Sequence, residues 1–336
     1  MRFIGVDLHT TQITVCYLKA KDEFEMKKYQ LCEIDKFISR LQQGDEIAVE
    51  ATCNTRWFYE QVRASVSRVV LVNPRQFEVV KNSVKKTDKR DALNLARFLR
   101  ADLLPEVRVK AEAAEKVQSL VNTRTKLVRL KTSLINKIHA LNVANGRKLK
   151  KTSLASEKGL DKVLLDEWSA IERIELEIIV EQIRSLKAGI KKLDKAIEEE
   201  ASQFEGYQSL VSMAGIGSLS AGILLSVIGE VKDFTSADKL ASYFGIVPRV
   251  ANSNERVNHG RITKRGSKTG RTTLVQSALA AIKKNEYLKK YYEQVKARRG
   301  HGKAKIALAR KYLGIIYNTL TNGWVFADFN NFELAE

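Results

Sequence analysis

Four carboxylates near the start of the chain have the residue types and the spacing that metal-dependent phosphoryl transfer requires. Asp7 follows a short apolar run, and Glu50 closes a later one. Asp88 and Asp91 are three residues apart in a stretch with helical periodicity, so both lie on one side of a helix. Four carboxylates held together can bind two Mg²⁺ ions about 3.5–4 Å apart, which activate a nucleophile and stabilise the leaving oxygen. We predict that these four acids are catalytic and hold two Mg²⁺ ions.

Each acid also has an ordinary structural role to weigh against catalysis. An acid at the end of a strand is often a cap, and Asp88 is in a position to cap its helix beside Lys and Arg neighbours. His9, just beyond Asp7, either supports the site or lies at the surface, and it is left out of the predicted ligands. The ordered set of acids favours a metal site more strongly than any single member does.

Alternating strands and helices must position these acids over the first hundred residues. Apolar and alternating runs predict strands, and apolar residues at helical spacing predict helices between them. The predicted strands are residues 3–6, 13–18, 24–29, 47–49 and 69–72, and the helices are 33–41, 56–65 and one opening at Asn73-Pro74. The order of three strands, helix, strand, helix, strand, helix is that of the ribonuclease H fold. In that fold the strands ending at Asp7 and Glu50 are neighbours, so the two acids would lie side by side.

The middle of the chain predicts long helices. Helix formers dominate from about Ala111, and no proline occurs between Pro105 and Pro248. We predict two long helical stretches with breaks near residues 145–146 and 158–159. The second carries an apolar seam at heptad spacing, which suits a helical hairpin or pairing with a second subunit. The seam consists of Ile179, Ile183, Leu186, Ile190, Leu193 and Ile197.

The first of these helical stretches carries charge of one sign only. Residues 116–151 contain ten Lys or Arg and no Asp or Glu. A solvated helix face usually mixes both signs, whereas charges of one sign repel each other unless phosphates neutralise them. We therefore predict nucleic-acid binding by Arg124, Lys126, Arg129, Lys131 and Lys137.

The C-terminal region is also strongly basic. Residues 249–311 hold 18 basic and 3 acidic side chains, which supplies +15 of the chain's net charge of +19. Such an excess attracts polyanions because binding releases the counterions condensed on phosphates, and this segregation favours nucleic acid over a merely soluble basic protein. Gly215 and Gly217 predict a tight turn between helices that either holds a DNA phosphate through backbone N–H groups or is purely structural.

We divide the chain into three domains, which are residues 1–105, 106–200 and 201–336.

Composition excludes several other classes of protein. The three cysteines lack CxxC spacing, which fits reduced thiols in a cytoplasm and argues against a disulfide framework or a zinc site. No run of about 18 apolar residues is present, so we expect no membrane span. Asp7 and His9 come too early for a signal peptide. We expect a cytoplasmic protein.

The motifs resemble a known family once they are taken in order. GVDLH, VEAT and TDKRDA, followed by the helical insert and then by LASYFGIVPR and GRITKRGSKTGR, resemble the DEDD transposases of the insertion sequence 110 family and the related Piv-type DNA invertases of prokaryotes. The resemblance covers nearly the whole chain. It implies a RuvC-like N-terminal domain whose four acids match Asp7, Glu50, Asp88 and Asp91. It also implies a coiled-coil insert and a mainly α-helical transposase domain at the C-terminus.

The resemblance further implies a nucleophilic serine shortly after a Gly-x-x-Pro motif, here Gly245 to Pro248, and the matching position is Ser253. Many relatives have Ser-Ser-Gly there, whereas this chain has Asn-Ser-Asn. Two other serines compete for the role. Ser242 lies in an apolar run and suggests a core hydroxyl, while Ser267 lies among Lys and Arg and suggests a hydrogen bond to a phosphate.

Basic residues near the serine are placed in sequence to stabilise developing phosphate charge or to hold backbone phosphates. They are Arg249, Arg256, Arg261, Lys264, Arg265 and Arg271. The resemblance also implies recombination guided by a structured non-coding RNA that pairs with donor and target DNA. It implies dimers that assemble into tetramers, with composite sites built from the acids of one subunit and the serine of another.

The leading hypothesis is therefore an RNA-guided, serine-dependent transposase with a metal-bearing carboxylate site. A Holliday-junction-type nuclease is the first alternative; there water is the nucleophile and no covalent protein–DNA adduct forms. A non-enzymatic DNA- or RNA-binding scaffold is the second, and it would bind no metal. An actin-like ATPase shares the opening Gly-x-Asp strand, but the sequence has no matching second and third phosphate loops, so it ranks last.

Overall fold

The computed structural model describes residues 1–19, 22–77, 87–253 and 256–333. The chain forms two compact units, Met1–Val109 and Lys110–Glu336. Among the helices of the described ranges, none is both long enough and apolar enough to cross a membrane.

The first unit is built on a five-stranded mixed sheet. Its strands are β1 (Phe3–Leu8), β2 (Gln12–Leu18), β3 (Phe24–Gln30), β4 (Glu46–Glu50) and β5 (Arg68–Val72). Their order across the sheet is β3-β2-β1-β4-β5. Strands β1, β2 and β3 pair antiparallel, whereas β4 pairs parallel with both β1 and β5. The predicted order of strands and helices is confirmed, because each element has a local apolar period and clear terminating residues.

Helices cover both faces of this sheet. They are α1 (Ile34–Ile38), α2 (Thr55–Val62), α3 (Pro74–Phe77) and α4 (Asp88–Arg100). Ile4, Val6 and Val49 join the core formed with α1 and α2, while Ala48 and Cys16 pack in the clusters that contain residues of α4. Because side chains alternate along a strand, the face toward α4 is also that of Gly5 and Asp7.

The second unit begins with a long pair of helices. They are α5 (Glu112–Ala144) and α7 (Ala170–Ala201), with the short α6 (Glu157–Leu165) between them. Ile138 of α5 packs with the start of α7, and Val117 packs with Ile197 near its end, so the two helices run antiparallel. Within the heptad seam Ile179, Ile183, Ile190 and Ile197 are buried, while Leu186 and Leu193 are half-buried. Of the two alternatives for this seam, a helical hairpin and pairing with a second subunit, the hairpin accounts for it within one chain.

One predicted helix break is wrong. Gly159 lies inside α6 rather than between two helices. Ser156 begins that helix by accepting a hydrogen bond from the backbone N–H of Gly159 at 3.2 Å. A Cβ atom on Gly159 would come within 1.7 Å of the Ser153 carbonyl oxygen, so glycine serves close packing here and not a turn. The chain leaves α5 at the other predicted break, near Asn145.

The rest of the second unit is mainly helical, as predicted. Its helices are α8 (Tyr207–Val211), α9 (Ser218–Ile228), α10 (Ala237–Phe244), α11 (Lys268–Ala281) and α12 (Glu286–Asn322), the last interrupted at Gly300. They share a core that includes Phe244, Leu308, Tyr312 and Ile316. Between α10 and α11 lies a two-stranded hairpin of β6 (Pro248–Ser253) and β7 (Arg256–Ile262), which the sequence pattern did not predict.

Candidate functional site

Two of the four predicted acids follow paired residues at the ends of neighbouring strands. Val6 of β1 lies opposite Val49 of β4 in a parallel pair, and the next residues on the two strands are Asp7 and Glu50. Both acids therefore point to the sheet face that α4 covers. The hydroxyl of Thr55 donates to the Glu50 carbonyl at 2.9 Å, which fixes the backbone where β4 ends.

The other two acids lie in the first turn of α4. Thr87 caps this helix by accepting a hydrogen bond from the Arg90 backbone N–H at 3.4 Å, so the alternative reading of Asp88 as the cap is wrong. Asp88 is the first residue of the helix, and Asp91 is buried one turn later. The prediction that Asp88 and Asp91 lie on one side of a helix is thereby confirmed.

A glycine controls how closely α4 approaches β1. A Cβ atom on Gly5 would lie 1.9 Å from the Ala92 carbonyl oxygen and 2.6 Å from the Ala96 backbone nitrogen. Only glycine permits this contact between strand and helix. Because Asp7 is two residues beyond Gly5 and Asp88 is four residues before Ala92, the same close packing brings the acids together.

The structure gathers Asp7 and Asp88 around a histidine. One ligand atom from each of Asp7, His9 and Asp88 lies within 4.8 Å of the other two. The Nε2 atom of His9 is 3.2 Å from Asp7 Oδ2 and 3.8 Å from Asp88 Oδ1. Glu50 and Asp91 are outside this three-residue group. The sequence analysis left His9 out, although its place two residues after Asp7 was the available signal.

The local electrostatics favour a bound cation. Burial raises the pKa of the Asp7 carboxyl, the nearby charges of Asp88 and Asp91 raise the same pKa further, and His9 lowers it. Like charges around a half-buried carboxylate make its ionised form costly, and a divalent cation would remove that cost. Lys28 Nζ lies 3.8 Å from Asp88 Oδ2 and offsets part of the charge. Oxygen donors from aspartate suit Mg²⁺ or Mn²⁺, so the residues present fit a divalent metal.

The predicted nucleophile lies at the tip of the β6–β7 hairpin. Ser253 is the last residue of β6 and is the pairing partner of Arg256, the first residue of β7. The side chains of both residues lie outside what the structure describes, as do Asn254 and Glu255 altogether.

The Gly-x-x-Pro motif and the Lys-Arg-Gly segment at residues 264–266 together form the base of this hairpin. Gly245 has a φ of +68°, and a Cβ atom there would lie 1.9 Å from the Arg265 carbonyl oxygen. The backbone N–H of Lys264 donates to the Gly245 carbonyl at 3.0 Å, and that of Thr263 donates to the Val247 carbonyl at 2.9 Å. These contacts position the hairpin that carries Ser253.

The two competing serines differ in how their environments compare with expectation. Ser242 is exposed on α10, so the predicted core hydroxyl is wrong; the buried face of that helix is formed by Leu240, Ala241 and Phe244. Ser267 caps α11, since its hydroxyl accepts from the Gly270 backbone N–H at 3.1 Å. A helix cap explains Ser267 without a phosphate.

Comparison with known proteins connects both regions to one family. A DEDD transposase model of the IS110 type matches residues 4–142, and a second model, described as the IS116/IS110/IS902 transposase family, matches residues 207–293. The chain belongs to the IS110 family of transposases. The four acids fall within the first match, and Ser253 falls within the second. A transposase acts on DNA, so this chain is an enzyme of DNA transposition.

Curated relatives of this transposase match over most of their length. A probable family 20 transposase of Pseudomonas aeruginosa is 27% identical over 82% of this chain and 83% of its own length. The transposase of insertion sequence element IS1111A from Coxiella burnetii is 26% identical over 96% and 90% respectively. The transposase of element IS1328 from Yersinia enterocolitica is 23% identical over 96% and 98%.

The basic residues predicted on α5 fall into two groups in this transposase. Arg124 forms an ion pair with Asp194 of α7, and Lys137 pairs with Glu175 of α7 at 2.9 Å. Within the described part of the chain, the other three predicted residues form no ion pair; they are Lys126, Arg129 and Lys131. Lys126 and Arg129 are exposed. Counting charge along the sequence of α5 missed the acids that α7, its antiparallel neighbour, places beside it.

The basic residues around the hairpin also differ in role. Four are exposed, namely Arg249, Arg261, Lys264 and Arg265. Arg271 is instead half-buried and donates to the Phe244 carbonyl oxygen at 3.0 Å, and burial lowers the pKa of its guanidinium. Arg271 therefore supports the packing of α11 against α10.

The predicted glycine turn joins α8 to α9. Gly215 has a φ of +88°, and a Cβ atom there would lie 2.3 Å from the Ser277 carbonyl oxygen, so this glycine serves packing against α11. Gly217 is exposed and precedes the first residue of α9. Of the two glycines, only Gly217 retains the position expected of a phosphate contact.

Proposed function

We propose that this transposase cuts and rejoins DNA with a ribonuclease H-like, RuvC-like carboxylate site and a serine nucleophile. The observation that carries the proposal is the convergence of Asp7 and Asp88 at the end of β1, with Asp91 in the same helical turn as Asp88 and Glu50 at the end of the neighbouring strand β4. The sheet order β3-β2-β1-β4-β5, with β1 at its centre, supports the ribonuclease H-like assignment.

The four acids would hold divalent cations, which we propose to be two Mg²⁺ ions. Bound there, the cations supply charge stabilisation to the phosphate under attack. The chain's own contribution is to fix the acids through the β1–β4 pair and the first turn of α4.

Ser253 is the proposed nucleophile because rejoining DNA without an energy source requires that the phosphodiester bond energy be kept. The Ser253 Oγ attacks the phosphorus and loses its proton, and the departing deoxyribose oxygen gains one. A phosphoserine ester results, so the cleaved bond is replaced by one of similar energy. Attack by the hydroxyl of a second DNA end reverses these changes and restores the serine. The exposed Arg249, Arg261 and Arg265 supply positive charge for the phosphate.

We further propose that a structured non-coding RNA guides the reaction and binds the exposed basic side chains of α5. The functional division would be residues 1–105 for the carboxylate site, 106–200 for RNA binding and dimerisation, and 201–336 for the serine. Dimers that assemble into tetramers would form composite sites in the cytoplasm of a prokaryotic cell. Gly217 and the exposed arginines near the hairpin would contact DNA or RNA phosphates.

Thermal unfolding with and without divalent cation tests the carboxylate site. The wild-type protein should gain about 2.7 kcal/mol of stability at a cation concentration one hundred times its Kd, and Asp7→Asn should gain far less. The metal-free Asp7→Asn protein should be at least as stable as the metal-free wild type at neutral pH. The pKa of Asp7 is raised in the folded protein, so ionisation of this carboxyl destabilises the fold, and that cost is fully present once the pH exceeds the raised pKa.

Asp35→Asn, an exposed acid of α1, is the matched control and should keep the full cation response. DNA strand cleavage should be lost in Asp7→Asn, while DNA binding is retained because affinity comes from Lys and Arg. Full cleavage in EDTA would contradict the metal site. Cleavage without a covalent adduct would favour the junction-type nuclease, and an absence of cation binding would favour the scaffold.

A further inference from the structure

The carboxylate site contains one side chain whose donor atom is nitrogen. His9 Nε2 lies 3.2 Å from Asp7 Oδ2 and 3.8 Å from Asp88 Oδ1. We infer that His9 is a direct metal ligand through Nε2 and that it shifts the preference of this site from Mg²⁺ toward Mn²⁺. The inference rests on the proposed carboxylate metal site and adds a ligand that the four acids do not include.

The spacing of the three donor atoms suits one six-coordinate ion. Two ligands at about 2.1 Å from an octahedral ion are about 3.0 Å apart when adjacent and about 4.2 Å apart when opposite. The two His9 distances fall between these limits, and the three donors lie within 4.8 Å of one another. A small closing movement of these three side chains would therefore complete a shared site.

The backbone of His9 is held within the turn from β1 to β2 and by the segment that follows β4. Its N–H donates to the Gln12 carbonyl at 3.0 Å, which closes the turn from β1 to β2. Its carbonyl accepts from the Asn54 side-chain amide at 3.0 Å. Asn54 itself accepts from the Thr52 hydroxyl at 2.9 Å, in the segment that follows Glu50.

The chemistry of the donors gives the expected selectivity. Carboxylates alone suit Mg²⁺, whereas imidazole favours transition-metal ions. His9→Ala should therefore weaken Mn²⁺ binding by about tenfold and change Mg²⁺ binding by less than about threefold. His9→Gln, which can still hydrogen-bond Asp7, should not restore Mn²⁺ affinity.

Pulsed electron paramagnetic resonance of Mn²⁺ bound to the full chain tests the inference. A nitrogen bonded directly to Mn²⁺ modulates the electron spin echo, and that modulation should be present in the wild type and absent in His9→Ala. His139→Ala, a half-buried histidine of α5, is the matched control and should keep it. Circular dichroism melting of each metal-free variant establishes that it is folded.

Three outcomes would overturn the inference, and they separate it from the metal site itself. Mn²⁺ that binds to the wild type and not to an Asp7→Asn, Asp88→Asn double variant, yet shows no His9-dependent nitrogen signal, would remove the His9 ligand and leave the carboxylate site standing. Full recovery of Mn²⁺ affinity in His9→Gln would assign His9 to positioning Asp7. Binding that the double variant retains unchanged would contradict both the ligand and the carboxylate site.

Discussion

Gly5 illustrates how much of a carboxylate site depends on a residue that has no functional group. Its missing side chain lets α4 lie directly on β1, and the acids of the two elements meet as a result. The apolar run around Gly5 was sufficient to predict a strand, and the spacing of Asp88 and Asp91 was sufficient to predict their shared side of a helix. The proximity of His9 to Asp88 was not predictable in this way, because it depends on packing between distant parts of the chain.

Gly5→Ala should therefore damage both stability and metal binding. The added Cβ has no room beside the Ala92 carbonyl, so α4 must move outward; overpacking of this kind costs about 1–3 kcal/mol. Urea unfolding and Mn²⁺ titration measure the two effects. Gly44→Ala is the control, since nothing lies within 4 Å of a Cβ there. An unchanged unfolding midpoint in Gly5→Ala would contradict the proposed role of the glycine.

At the scale of elements, the antiparallel pairing of α5 with α7 changes how the positive charge of α5 is interpreted. Residues 116–151, which include most of α5, carry only positive charge, yet α7 supplies Asp194 and Glu175 as partners. Local periodicity predicted both helices, but it gave no information on which charges would face each other. The β6–β7 hairpin was missed because polar and apolar residues are mixed along both strands without a sustained apolar run, so the sequence did not indicate their backbone pairing.

The ion pairs divide the basic residues of α5 into two experimental groups. The double variant Lys126→Gln, Arg129→Gln should lower the slope of log affinity for RNA against log salt by about 1.4–1.8, since each lost phosphate contact contributes about 0.7–0.9. The pair Arg124→Gln, Lys137→Gln removes the same charge but breaks contacts with α7, and its salt slope should change little. Equal slopes for both double variants would contradict a nucleic-acid role specific to the exposed residues.

At the scale of the whole molecule, the proposed chemistry is divided between the two compact units. The acids belong to Met1–Val109, and Ser253 belongs to Lys110–Glu336. The order of motifs along the chain predicted the α/β character of the first unit and the helical character of the second. How many subunits contribute to one reaction is a property of the assembly, and local sequence patterns do not encode it.

Mixing two inactive variants tests the proposed composite sites. The Asp7→Asn subunit retains Ser253, and the Ser253→Ala subunit retains the four acids. If sites are composite, a mixed dimer therefore has one complete site, with acids from one subunit and the serine from the other. We expect covalent adduct formation by the mixture and none by either variant alone, measured after co-expression to allow subunit exchange. Failure of the mixture to form adduct, with mixed dimers shown by affinity tags, would place both parts of each site in one subunit.

The central claim is that Ser253 becomes joined to DNA, and peptide mapping of a trapped adduct tests it most directly. A nicked or mismatched substrate holds the intermediate, and denaturing electrophoresis followed by mass spectrometry identifies the modified residue. Ser253 should carry the DNA, and Ser253→Ala should bind DNA and RNA yet form no adduct and exchange no strands. Ser242→Ala should be unaffected, and Ser267→Ala should lose about 1 kcal/mol of stability with its helix cap while still forming adduct. An adduct mapped to either of those serines, or strand exchange by Ser253→Ala, would contradict the account.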